Sequence, residues 1–116
     1  MRLPNIGDLN RRITAYSVSH AGGKSALLEQ TDAILFRLWG MVEVVGGTTY
    51  FDSANINEAI THRIWVRYVP GLSRPQDLRH LVELESEGIR YRVRRVTDAN
   101  GAHRFIAMEC EELGDG

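Results

Sequence analysis

The chain of 116 residues holds one cysteine, Cys110, so no intramolecular disulfide can form and the composition suits a reducing compartment. The plain reading of Cys110 is a small apolar strand residue. The sharper reading, a reactive thiol, meets only glutamates as flanking groups, and these disfavour a thiolate. No run approaches the roughly 18 apolar residues of a membrane helix. The start, Met1-Arg2-Leu3-Pro4-Asn5-Ile6-Gly7-Asp8, lacks the apolar core of a secretory leader. The expectation is a soluble cytoplasmic protein with no membrane partner. Charge of one sign is missing too. A formal net charge of −1 and a pI near 6.4 give no global attraction to nucleic acid or anionic lipid, though local patches remain open.

Catalytic patterns are equally scarce. The histidines His20, His62, His80 and His103 share no metal-ligand spacing and sit in no Cys/His cluster. There is no Gly-x-Ser-x-Gly element for serine hydrolysis. Gly22-Gly23-Lys24-Ser25 resembles the end of a phosphate loop, but the first glycine of that motif would fall at Val18, and no clear helix begins at Lys24. Glu83 with Glu85, or Asp52 with Glu58, could be paired as acid and base; alternate strand positions make the first pair a solvated face. No enzyme activity and no cofactor or metal is expected.

What is present is an ordinary globular composition, 43% hydrophobic and 25% charged, over a length that predicts one domain, residues 1–116. Alternation of period two dominates. A turn around Ile6-Gly7-Asp8 leads into a strand over 11–18. The small polar run from Ser19 to Ser25, with its glycines, begins a long loop over about 19–33. A strand over 35–45 puts Phe36, Leu38, Gly40, Val42 and Val44 toward the core. Leu35, Arg37, Trp39, Met41, Glu43 and Val45 fall on the other face, and Gly40 suggests a bulge or bend. Gly46-Gly47 breaks the strand, and a short helix could run from Thr48 to Ala59.

The clearest strand covers 61–69, with Ile64, Val66 and Tyr68 on one face and Arg63, Trp65 and Arg67 on the other. Pro70-Gly71 ends it, and a loop containing Pro75 follows. Val82 and Leu84 point inward on the next strand, Glu83 and Glu85 outward. Ser86-Glu87-Gly88 connects it to a strand in which Ile89, Tyr91 and Val93 alternate with Arg90, Arg92 and Arg94. Glutamate–arginine pairing across this hairpin is expected. Asn100-Gly101 turns into a last strand over 103–111, with Ile106, Met108 and Cys110 on one face. Residues 111–116 read as an acidic frayed tail. The sum is mainly β: a small antiparallel barrel or sandwich of about six strands with one long loop and at most one short helix.

Two sets of outward residues are candidate interfaces. Arg90, Arg92 and Arg94 line one strand face and could meet phosphates or an acidic protein; the plain alternative is a solvent face salt-bridged to the glutamates. Arg63 and Arg67 flank an outward Trp65, a composition typical of an interface.

The order of motifs resembles the head–tail joining, or head-closure, proteins of tailed bacteriophages. The match runs from Ile6 to Glu112: Ile6-Gly7-Asp8-Leu9-Asn10-Arg11-Arg12-Ile13-Thr14, then Leu38-Trp39-Gly40-Met41-Val42-Glu43, then Gly47-Thr48-Thr49-Tyr50-Phe51, then Thr61-His62-Arg63-Ile64 with Arg67-Tyr68-Val69-Pro70-Gly71, then Ile89-Arg90-Tyr91-Arg92-Val93 and Arg104-Phe105-Ile106. Gly40 stands where the family pattern has alanine, and Thr49 where glutamate is frequent. The resemblance implies a structural virion or prophage protein that docks as a ring beneath the portal, closes the DNA-filled head and joins it to the tail. Implied partners are the portal or adaptor ring, a tail or tail-completion protein, further copies of the chain, and packaged DNA in the central channel. The isolated chain would be monomeric, made in the host bacterial cytoplasm and carried at the virion head–tail junction. The resemblance also gives the long loop a place in the channel or on the portal, through His20, Ala21, Gly22, Gly23, Lys24, Ser25, Ala26, Leu27, Leu28, Glu29 and Gln30. The alternative function is a small β-barrel nucleic-acid-binding module using the arginine sets and Trp65.

Overall fold

The structure is a computed structural model and describes residues 3–20, 30–45 and 60–115. It contains six strands: β1 (Arg11–His20), β2 (Gln30–Val44), β3 (His62–Arg67), β4 (Leu81–Ser86), β5 (Ile89–Asp98) and β6 (Phe105–Asp115). They close a barrel in the order β1-β2-β3-β6-β5-β4, every neighbouring pair antiparallel. Among the described residues the remaining regular elements are 3-10 turns at Ile6–Asp8, Pro75–Asp77 and Ala99–Gly101. The expected barrel is therefore the architecture found. The suggested helix over 48–59 lies outside the described residues.

Inward residues from all six strands make the core: Ile13 and Ala15 of β1, Phe36 of β2, Ile64 and Val66 of β3, Leu84 of β4, Tyr91 of β5, and Ile106, Met108 and Cys110 of β6. Each large apolar side chain taken fully out of water is worth about 1.5–3 kcal/mol. Leu78, from the connection after β3, joins the same cluster. Cys110 lies fully inside, its Sγ donating to the Met108 carbonyl at 3.3 Å, and burial with the neighbouring Glu109 pushes its thiol up to about 12. A thiol so held is inert. A maleimide probe at pH 8 should leave the folded protein unlabelled and label Cys110 fully in urea, as mass spectrometry would show. Rapid labelling of the folded protein would mean that the β6 wall opens.

Bulges do the bending that closure requires. Ala15 pairs with Phe36 but Tyr16 with Ile34, so Leu35 is the extra residue on β2. Leu35 consequently packs against the core although alternation placed it outside. Gly40 holds regular register with Arg11 on one side and Val66 on the other, so it is not a bulge. A Cβ there would stand 2.5 Å from the Trp65 carbonyl oxygen and 2.7 Å from Ile13 Cγ1; the glycine marks a close approach of strands. Val44, expected inside, is 79% exposed at the end of β2.

The strands also run further than alternation suggests. The segment 19–33 is not one loop, because β1 continues through His20 and β2 begins at Gln30, the two paired in register. β6 continues to Asp115, which pairs with Ile89, so the acidic tail is a strand rather than a frayed end. The clearest predicted strand stops at Arg67. The hairpin between β4 and β5 is as expected, with Glu83 opposite Arg92 and Glu85 opposite Arg90. Its two-residue turn has φ of 52° at Glu87 and 83° at Gly88, the conformation that suits the strand twist.

The connection from β3 to β4 is tied by Arg74 and Asp77. Asp77 Oδ2 accepts the Arg74 backbone N–H at 3.1 Å and its Nε–H at 2.9 Å, while Oδ1 accepts from Nη2 at 3.1 Å. These bonds hold the Asp77 carboxyl below its ordinary 3.8. The resulting stability is complete above that value and is lost as pH falls through the lower folded value. Asp77→Asn should lower stability at neutral pH and flatten its fall below pH 4, measured by urea unfolding at several pH values.

Candidate docking surface

The outer face of β2, β3 and β6 is built in rows by the register. Glu43 lies opposite Arg63, Arg63 opposite Glu109, and Glu109 opposite Arg95, giving alternating charge across four strands. Arg63 Nη1 donates to Glu43 Oε1 at 3.3 Å, its Nη2 stands 3.8 Å from Glu109 Oε2, and Arg95 donates to Glu109 Oε1 at 2.6 Å. The next row is Met41, Trp65 and Ala107. Trp65 does lie on the outer face, but it is covered there and 1% exposed, so it is no exposed interface residue. Leu9, Ala99 and Phe105 pack with it in a second cluster outside the barrel wall, and Leu3 and Met41 complete the cover. The indole Nε1–H donates to Glu43 Oε1 at 3.0 Å. Alternation identified the face correctly; the covering segments lie far away in sequence.

The arginine triplet is also rearranged. Val93 pairs with Cys110 and Arg95 with Glu109, so Arg94 is the extra residue of a bulge and the row is broken. Arg90 Nη1 donates to Glu83 Oε1 at 2.9 Å and its guanidinium lies 4.2 Å from the Tyr16 ring centre. Arg94 pairs with Glu111, and Arg92 is exposed. The salt-bridged face is thus the better description for Arg90 and Arg94. Of the loop candidates, His20 and Gln30 are strand residues at the end of the β1–β2 ladder, and Ala21 through Glu29 lie outside the described residues.

A further surface, outside both candidate arginine sets except for Arg67, sits one row beyond Trp65. Trp39 is 55% exposed and Ile6 is 56% exposed. With Leu9, Leu38, Val69 and Arg67 they line an apolar groove of about 280 Å³. The 3-10 turn at Ile6–Asp8 positions the groove's rim: Asp8 Oδ2 accepts the Asn5 N–H at 3.0 Å, and the Asp8 N–H returns a bond to the Asn5 carbonyl at 2.9 Å. Arg12, opposite Trp39 on β1, places its guanidinium 5.1 Å from the indole centre. Alternation places Trp39 on the outer face beside Arg37, and that is the sequence signal for this groove.

The sequence model of the phage head completion protein family matches residues 4–113. This chain belongs to that family. It therefore has a structural role in closing the phage head, and it acts among other head and tail proteins. Its fold is shared with protein SF1141 from Shigella flexneri 2a, whose solution structure superposes with a TM-score of 0.67 over 95% of this chain and 97% of that one, at 22% identity. No curated protein matches the chain. No helix among the described residues is long and apolar enough to cross a membrane.

Proposed function

We propose that this head completion protein docks as a ring beneath the portal of a filled head, closes the DNA channel and presents the surface to which the tail, or a tail-completion protein, attaches. Family membership over residues 4–113 is the observation that carries the reading. The β1–β2 ladder supports it. β1 pairs with β4 only as far as Ser17, and β2 pairs with β3 only from Gly40. The pairs from Val18 with Asp32 to His20 with Gln30 are therefore held within the hairpin alone. A two-stranded extension of this kind suits insertion into a channel or against a neighbouring ring. Heterologous contacts between copies close into a ring when the rotation closes.

The test mixes the purified protein with its cognate portal and with filled heads that lack it. Portal binding and nuclease protection of head DNA are the expected results. Shortening 21–29 should leave the barrel folded and abolish protection. Absence of portal binding, together with tight salt-sensitive binding to free DNA, would sink the reading.

A further inference from the structure

We propose that the Trp39 groove is the docking site for a protein segment carrying one aromatic or large aliphatic anchor flanked by carboxylates. The inference stands on the surface itself and holds whichever head or tail protein supplies the segment.

An exposed tryptophan over an apolar groove needs an apolar occupant to take it out of water, and a groove of about 280 Å³ accepts one or two large side chains. The charge around it fixes what must flank that anchor. Arg12 and Arg67 border Trp39, and Arg37 lies two residues away on the same face of β2. All three are exposed, and none has a carboxylate partner among the described residues. Arg79, Arg92 and Arg104 also hold no carboxylate among the described residues, but none of them lines the groove. Arg11, Arg63, Arg74, Arg90, Arg94 and Arg95 each hold a carboxylate. Glu43, the carboxylate two rows from Trp39, is already engaged by Arg63 and the Trp65 N–H. Tryptophan and arginine at the rim of an apolar pocket are the residue types that dominate binding energy at protein interfaces.

Nucleic acid suits the surface less well. Phosphates would use the arginines but leave the floor of Leu9, Leu38 and Val69 exposed. Arg12 also lies over the Trp39 ring, where a base would stack.

The experiment selects a displayed random peptide library against the folded protein and measures the enriched peptides by fluorescence anisotropy, with a thymidine oligonucleotide as the competing probe. The expected result is enrichment of Trp, Phe or Leu with Asp or Glu within three positions. Binding should fall roughly tenfold or more in Trp39→Ala and in Arg67→Glu, and stay unchanged in Arg92→Glu. Amide spectra confirm that each variant is folded. Arg67→Glu should in addition shift selection toward Lys or Arg flanks. Enrichment without acidic flanks, equal binding by wild type and both groove variants, preferential capture of the oligonucleotide, or no enrichment from a folded sample would each overturn the proposal.

Discussion

Trp65→Ala should lower the unfolding free energy by about 3–5 kcal/mol, close to the whole stability of a marginal small domain. The indole is 1% exposed and is the largest of the fully buried side chains among the described residues. Its loss leaves a cavity between the barrel wall and the segment that covers it, so Leu9, Ala99 and Phe105 lose their common partner. It also removes the Nε1–H from Glu43, whose remaining bond goes to Arg63. Trp65→Phe separates the two terms, keeping most of the packing and deleting the hydrogen bond, and should cost about 1–2 kcal/mol. Trp39→Ala is the control: exposed and only capped by Arg12, it should change stability by less than about 0.5 kcal/mol. Urea unfolding followed by far-UV circular dichroism measures all three. Equal costs for Trp65→Ala and Trp39→Ala would mean that the second cluster does not form.

The two tryptophans show where sequence reading succeeds and where it stops. A period of two states which residues share a face of a strand, and it did so correctly for Ile64 and Val66 against Arg63, Trp65 and Arg67. It does not state which faces are covered. In β6 the run from Phe105 to Cys110 is buried on both sides, because Leu3, Leu9 and Ala99 come from elsewhere to cover Phe105 and Ala107 on the outer one, while Arg63 and Arg95 flank Glu109. Each single-residue bulge reverses the pattern beyond it, which is why Leu35 turned inward and the Arg90–Arg92–Arg94 row broke. Strand ends are not legible where pairing outruns alternation: Ser19, His20, Gln30 and Thr31 are polar and read as loop, yet their backbones pair with each other. The turns were legible because their chemistry is local. Glu87-Gly88 and Asn100-Gly101 adopt positive φ at the places glycine marked.

Gly40→Ala should cost about 1–3 kcal/mol, although general propensity argues the other way. Glycine inside a strand is worse than alanine by roughly 0.5–1 kcal/mol through lost backbone entropy, so an unobstructed site would gain from the change. This site is obstructed. Gly40 sits where β2 is paired to β1 and to β3 at once, opposite Arg11 and Val66. A Cβ would meet the Trp65 carbonyl oxygen at 2.5 Å, Ile13 Cγ1 at 2.7 Å and Val66 Cγ1 at 3.2 Å. The first is backbone and cannot rotate away. Relief requires β3 to shift, and β3 is held on its other side by β6 and from outside by the Trp65 cluster. The packing term therefore exceeds the entropy term. Ile13→Ala added to Gly40→Ala removes one clash and leaves the carbonyl contact, so the double variant should remain below the Ile13→Ala single variant in urea midpoint. Should Gly40→Ala instead raise the midpoint, the β2–β3 crossing is looser than the structure has it.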